Sequence, residues 1–176
     1  MKPILECDFE SIIHTCMDMR DLWIVICDQT FPFPQFRRTE ECHVSTGTAL
    51  SHARTFFECV VIWSCDSEFP DSSNYIPILV VVYKEANEDT EAGWEQAKAQ
   101  MLEYCRDSLT GEKRIYGVVA IGTKVRLCCF SYPVCYTSME DGIELRLEDA
   151  ADRSGLEAAL EVIRERGWRW ATDRRL

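Results

Sequence analysis

The chain has 176 residues, enough for one domain that buries a core without staples. At 47% hydrophobic and 28% charged residues it reads as globular, which excludes disordered and collagen-like classes. Thirty acidic against nineteen basic residues leave a net charge of -11, which works against capture of a polyanion, so nucleic acid is set aside as the expected partner. No apolar run approaches the roughly 20 residues of a membrane span, and no membrane association is expected. The N-terminal residues lack the long uncharged stretch of a secretory signal, so the expected setting is cytoplasmic or nuclear.

Leu5, Phe9, Ile12, Ile13, Cys16 and Met17 recur at helical spacing, and a helix is predicted over residues 3–20, with Pro3 in its first turn. The charged residues Asp18 to Asp21 interrupt it, and residues 22–27 fit either a short strand or more helix. Phe31-Pro32-Phe33-Pro34 breaks the pattern, because each proline biases its predecessor towards extended backbone. Residues 35–52 are polar and read as loop with at most one helical turn. Phe31 to Phe36 with Arg37 and Arg38 admit an aromatic and basic contact for a nucleic acid strand. The favoured alternative has the phenylalanines anchoring the loop and the arginines pairing with Glu40 and Glu41.

Residues 56–64 and 76–84 are rich in β-branched and aromatic side chains and flank a turn region, so an antiparallel hairpin with a long loop is expected. The second run is nearly apolar throughout, as a strand buried on both faces requires. Thr90 is placed to cap a helix carrying Trp94, Ala97, Met101, Tyr104 and Cys105, ending near Gly111. Residues 116–121 and 124–132 read as two strands joined tightly through Gly122-Thr123, and residues 144–147 as a further short strand. Ser154 and Glu157 form a capping box for a last helix over residues 154–167, closed at Gly167. Helices and strands in this order predict a single mixed α/β layer domain over residues 1–176.

Ten cysteines suggest a disulfide framework at first sight. Cys59, Cys65, Cys128 and Cys129 lie in or beside apolar runs, however, where cysteine behaves as a small hydrophobe, and reduced thiols are expected. A zinc site from Cys42, His43, Cys59 and Cys65 is the alternative to plain burial, although no CxxC pair supports it.

Residues 56–132 resemble the core of the PD-(D/E)XK nuclease superfamily, the restriction-endonuclease-like fold, in a form similar to fungal members. The landmarks are the strand Ile76–Lys84, the helix segment Ala97-x-x-Gln100-x-x-x-Tyr104, and Tyr116-Gly117-Val118-Val119-Ala120-Ile121-Gly122 followed by residues 124–130. The resemblance implies a mixed sheet flanked by helices. It also implies metal-assisted phosphodiester cleavage, with Mg²⁺ held by two carboxylates beside a lysine. Lys84 stands at the lysine position, but the acidic position two before it is Val82, and the place of the first metal aspartate is taken by Phe56. Asp71, in the literal Pro70-Asp71 pair, falls in the connecting loop. Glu58 and Glu85 are the nearby acids, and side-chain alternation turns Glu85 away from Lys84. Lys84, Gln100 and Glu58 are therefore candidate or relic catalytic positions, and no cofactor is expected, with Mg²⁺ as the alternative.

Arg164, Arg166, Arg169, Arg174 and Arg175 flank Trp168 and Trp170 in the one basic stretch of an acidic chain. It reads as a nucleic-acid footprint, as a docking surface for an acidic partner or a second copy, or as a frayed helix end whose tryptophans cover the core. Trp168, Trp170, Arg166 and Arg169 are the candidate binding residues. The expected function is that of a catalytically degenerate nuclease-like protein acting as a protein-interaction or regulatory module. The alternatives are an active metal-dependent nuclease with a migrated acid, and a small-molecule enzyme or binding protein on an unrelated α/β fold. No serine-nucleophile, cysteine-protease, P-loop or dinucleotide signature is present.

Overall fold

Asp18 starts the first helix. Its side chain accepts the Asp21 N–H at 2.7 Å, and α1 (Met19–Thr30) then buries Met19, Leu22, Trp23, Ile26 and Cys27 along one stripe. The computed structural model describes residues 18–45, 55–65, 75–109, 114–131, 135–138 and 144–172. Most of the helix expected over residues 3–20 thus lies outside the described residues. Residues 22–27 are helical because their apolar side chains recur every three to four positions and reach one core.

Residues 36–45, expected to be loop, form strand β1 (Phe36–Ser45) at the edge of the sheet. An edge strand carries polar side chains on both faces, so period-two alternation of apolar residues is missing, and Arg38 and Glu40 on one face are held by ion pairs to Asp28 and Arg20 of α1 instead.

Next come β2 (Thr55–Ser64) and β3 (Ile76–Lys84), antiparallel with Cys59 opposite Val82. A bulge at Ile62/Trp63 shifts their register. A short 3-10 turn leads into α2 (Glu91–Ser108), whose cap is the expected Thr90 side chain accepting from Gly93 N–H at 3.1 Å. The chain returns in β4 (Arg114–Ile121), parallel to β3. Gly122, at φ +55, makes the tight turn into the antiparallel β5 (Lys124–Ser131). The far edge of β5 carries β6 (Cys135–Ser138) at one end and β7 (Glu144–Arg146) at the other. The seven-stranded sheet runs β1-β2-β3-β4-β5-β6, with β7 on β5.

The last helix, α3 (Ala150–Thr172), is longer at both ends than residues 154–167. Asp149, not Ser154, caps it, accepting from the Ala151 and Asp152 N–H groups at 2.8 and 3.2 Å. Gly167 does not end it. A Cβ there would stand 3.1 Å from the Ile78 side chain, so this glycine lets the helix lie close on β3.

Two apolar cores lie on the two faces of the sheet. α1 and α3 pack on Val60, Ile62, Val81 and Val118. On the opposite face, α2 packs through Trp94, Ala97, Met101 and Tyr104 on Phe57, Cys59, Val61, Val80 and Val82. This is a mixed α/β fold in three layers, and burial of each large side chain contributes about 2 kcal/mol. Among the described residues no helix is long and apolar enough to cross a membrane.

Candidate functional site

β3 alternates its side chains, so Val80, Val82 and Lys84 point to the α2 face while Val81 and Tyr83 point to the other. Lys84, whose side chain is only 10% exposed, donates to Glu88 Oε2 at 2.7 Å and to Gln96 Oε1 at 3.4 Å. Glu88 belongs to the 3-10 turn and Gln96 to α2, so the ammonium sits in the corner where the chain crosses from sheet to helix.

Gln96, Gln100 and Tyr104 stand four apart on α2 and share one stripe. Its ends are tied down. Gln96 meets Lys84, and the Tyr104 and His43 rings stand perpendicular with 4.8 Å between centroids. Gln100, between them, is 2% exposed, and its Oε1 finds no partner among the described residues. His43 also stacks on Phe57 at 5.6 Å, and its Nε2 lies 3.0 Å from Glu41 Oε2. Burial pushes the Tyr104 phenol up from its ordinary value, with the Glu41 charge adding to it. Glu41 and His43, weighed in sequence only as an arginine partner and a zinc ligand, meet Tyr104 here because their segment is a strand and not a loop. The available signal was the alternation Arg37, Thr39, Glu41, His43, which a strand turns to one face.

Glu58 does not join this group. It lies between Phe57 and Cys59, both buried against α2, and so points to the opposite face, where it accepts from the Tyr83 hydroxyl at 3.2 Å. The structure thus brings Lys84 and Gln100 to one side of the sheet and leaves Glu58 on the other. Glu85 is exposed. The Phe56 side chain and Asp71 lie outside the described residues.

These residues do not fit a Mg²⁺ ion. A hard cation needs several oxygen ligands, and Val82, fully buried, has none in its side chain. Glu88 is engaged by Lys84, and residues 44–57, which lead into β2, contain no Asp or Glu. Among the described residues no three His, Cys, Asp or Glu side chains are grouped to hold a metal. The zinc alternative is not assembled either. Cys42 is exposed and one residue out of phase with His43, and Cys65 bonds the Gln35 carbonyl at the far end of β2.

The basic end of α3 is partly spent on the core. Trp170 is half-buried and stacks on Tyr116 at 4.1 Å, with the Arg114 guanidinium 5.6 Å from its ring. Trp168 is half-buried as well, whereas Arg166 and Arg169 are exposed. In the aromatic loop, Phe31 and Phe36 are buried edge to face at 5.3 Å, as expected of anchors, while Phe33 is 79% exposed. Arg38 pairs with Glu40 and also with Asp28, each at 2.7 Å, and Arg37 covers the Tyr75 ring at 4.1 Å.

Compared with known proteins, the chain matches no family model, no curated protein and no solved structure.

Proposed function

We propose that this protein is a catalytically degenerate relative of the PD-(D/E)XK nucleases that works by binding another protein. The observation that carries the reading is the placement of Lys84 and Glu58 on opposite faces of the sheet, with Val82 filling the position of the second carboxylate. The order of parts supports the kinship: an antiparallel hairpin ending at Lys84, a helix carrying Gln100 towards the sheet, and a strand parallel to the hairpin's second arm. The lysine that would stand beside a metal-bound water instead has its charge balanced by Glu88. Arg166 and Arg169, flanking Trp168, offer a basic surface to an acidic partner.

The test is a cleavage assay on DNA and RNA at low salt with Mg²⁺ or Mn²⁺, using the wild-type chain and Lys84→Ala. No metal-dependent cleavage is expected from either. Cutting by the wild type that Lys84→Ala abolishes means the chain is an active nuclease and the proposal is wrong.

A further inference from the structure

The outer edge of β1 carries a charge pattern that is complementary to itself. β1 pairs with β2 along one edge, and among the described residues no strand pairs with the other. Such an edge presents unpaired backbone N–H and C=O groups and is a template for another strand unless side chains prevent it. The side chains along the first half of β1 read Arg37-Arg38-Thr39-Glu40-Glu41. This block reverses sign about Thr39.

We propose that β1 pairs antiparallel with β1 of a second copy, about a twofold axis at Thr39, joining the two sheets into one. In that register Arg37 stands opposite the partner's Glu41 and Arg38 opposite the partner's Glu40, and each contact occurs twice by symmetry. Centring the axis one residue earlier sets Arg38 against the partner's Arg38, and one residue later Glu40 against the partner's Glu40. Parallel in-register pairing opposes like charges throughout. The same side chains that disfavour open-ended stacking therefore select one closed dimer. Opposed residues keep their faces in this arrangement, so the layer of α1 and α3 in one copy continues beside the same layer in the other.

Glu41 is held within its own strand, its Oε1 accepting from the Thr39 hydroxyl at 3.0 Å, so pairing with a second copy re-aims that carboxylate across the new edge. Arg37 is exposed and rests on the Tyr75 ring, and Glu41 is half-exposed beside His43. Substituting these two also spares the Arg38–Asp28 and Arg20–Glu40 pairs that tie β1 to α1. The inference is independent of the nuclease reading, since it uses another edge of the sheet and no residue of the Lys84 corner.

The experiment measures mass in solution over a concentration series for the wild type, for Arg37→Glu, for Glu41→Arg, and for an equimolar mixture of the two variants. The wild type is expected to approach twice 20.3 kDa, each variant to remain at 20.3 kDa, and the mixture to regain the dimer because unlike charges again face each other. Recovery in the mixture also shows that both variants are folded. A wild-type chain that stays monomeric at every concentration overturns the proposal and leaves the edge to another occupant. A dimer that neither variant weakens, or variants whose mixture stays monomeric, overturns it equally.

Discussion

The Tyr83 hydroxyl donates to Glu58 across 3.2 Å, bridging β3 to β2 on the face turned away from Lys84. Burial, reinforced by the Glu58 charge, pushes the phenol well above its ordinary value, so it stays a donor into alkali where a free phenol ionises. Glu58 is therefore committed to a structural contact. Tyr83→Phe retains the ring and removes the donor, and the expected loss is about 0.5–1 kcal/mol in a urea unfolding curve. An unchanged midpoint would mean that the carboxylate is free for other work.

Lys84 invites a second substitution test. Its side chain is nearly buried while that of Glu88 is 41% exposed. With Lys84→Met the hydrophobic stem is retained and Glu88 can turn to solvent, so the expected loss is at most about 1 kcal/mol. Lys84→Glu instead places an unpaired negative charge in the same corner facing Glu88, and about 3 kcal/mol of destabilisation is expected. Chemical denaturation of the pair separates them. Equal losses would show that the corner is indifferent to the sign of the charge.

Much of this architecture was legible in the residues. The hairpin strands, the helix begun by Thr90 and the turn at Gly122 follow from β-branched runs, a capping side chain and a glycine at positive φ. β1 escaped because Arg37 to His43 are polar on both faces, and only the ion pairs to α1 distinguish such a strand from a loop. The end of α3 escaped for a different reason. Gly167 looks like a helix terminator in sequence, and only its approach to Ile78 reveals a packing role. At the candidate site, alternation along β3 was enough to set Val82 on the face of Lys84. Placing Glu58 as well required the pairing of β2 with β3, which lies beyond local sequence.

Gly117 tests the contact between α2 and the sheet. A Cβ there would lie 2.4 Å from Met101 Sδ, 2.6 Å from Cys128 Sγ and 3.0 Å from the Phe130 ring. Three side chains on two elements would have to move together. Gly117→Ala is expected to destabilise by about 1–3 kcal/mol, the usual range for an overpacked core. The double change Gly117→Ala with Met101→Ala should cost less than the sum of the two single changes, as a thermal or urea unfolding cycle will show. Full additivity of the two losses would locate the strain away from Met101.

The buried thiols predict an alkaline limit to stability. Burial pushes Cys27 and Cys59 from an ordinary 9.0 up to about 12, and raises Cys105 and Cys128 as well. A raised folded value means that the native state holds its protons where the unfolded chain has begun to release them. The contribution is therefore complete below pH 9.0 and declines as pH climbs towards about 12. Near pH 10 the expected loss is about 1.4 kcal/mol for each such thiol. Tyr83 and Tyr104, also raised by burial, extend the decline further into alkali. Urea unfolding between about pH 8 and pH 10.5, with reductant present, should thus show stability falling with a slope that Cys27→Ala makes shallower. That variant also leaves a small cavity, which lowers stability at every pH; the slope is the quantity that isolates ionisation. A slope unchanged by Cys27→Ala would mean that this thiol ionises as readily in the native protein as in the unfolded chain.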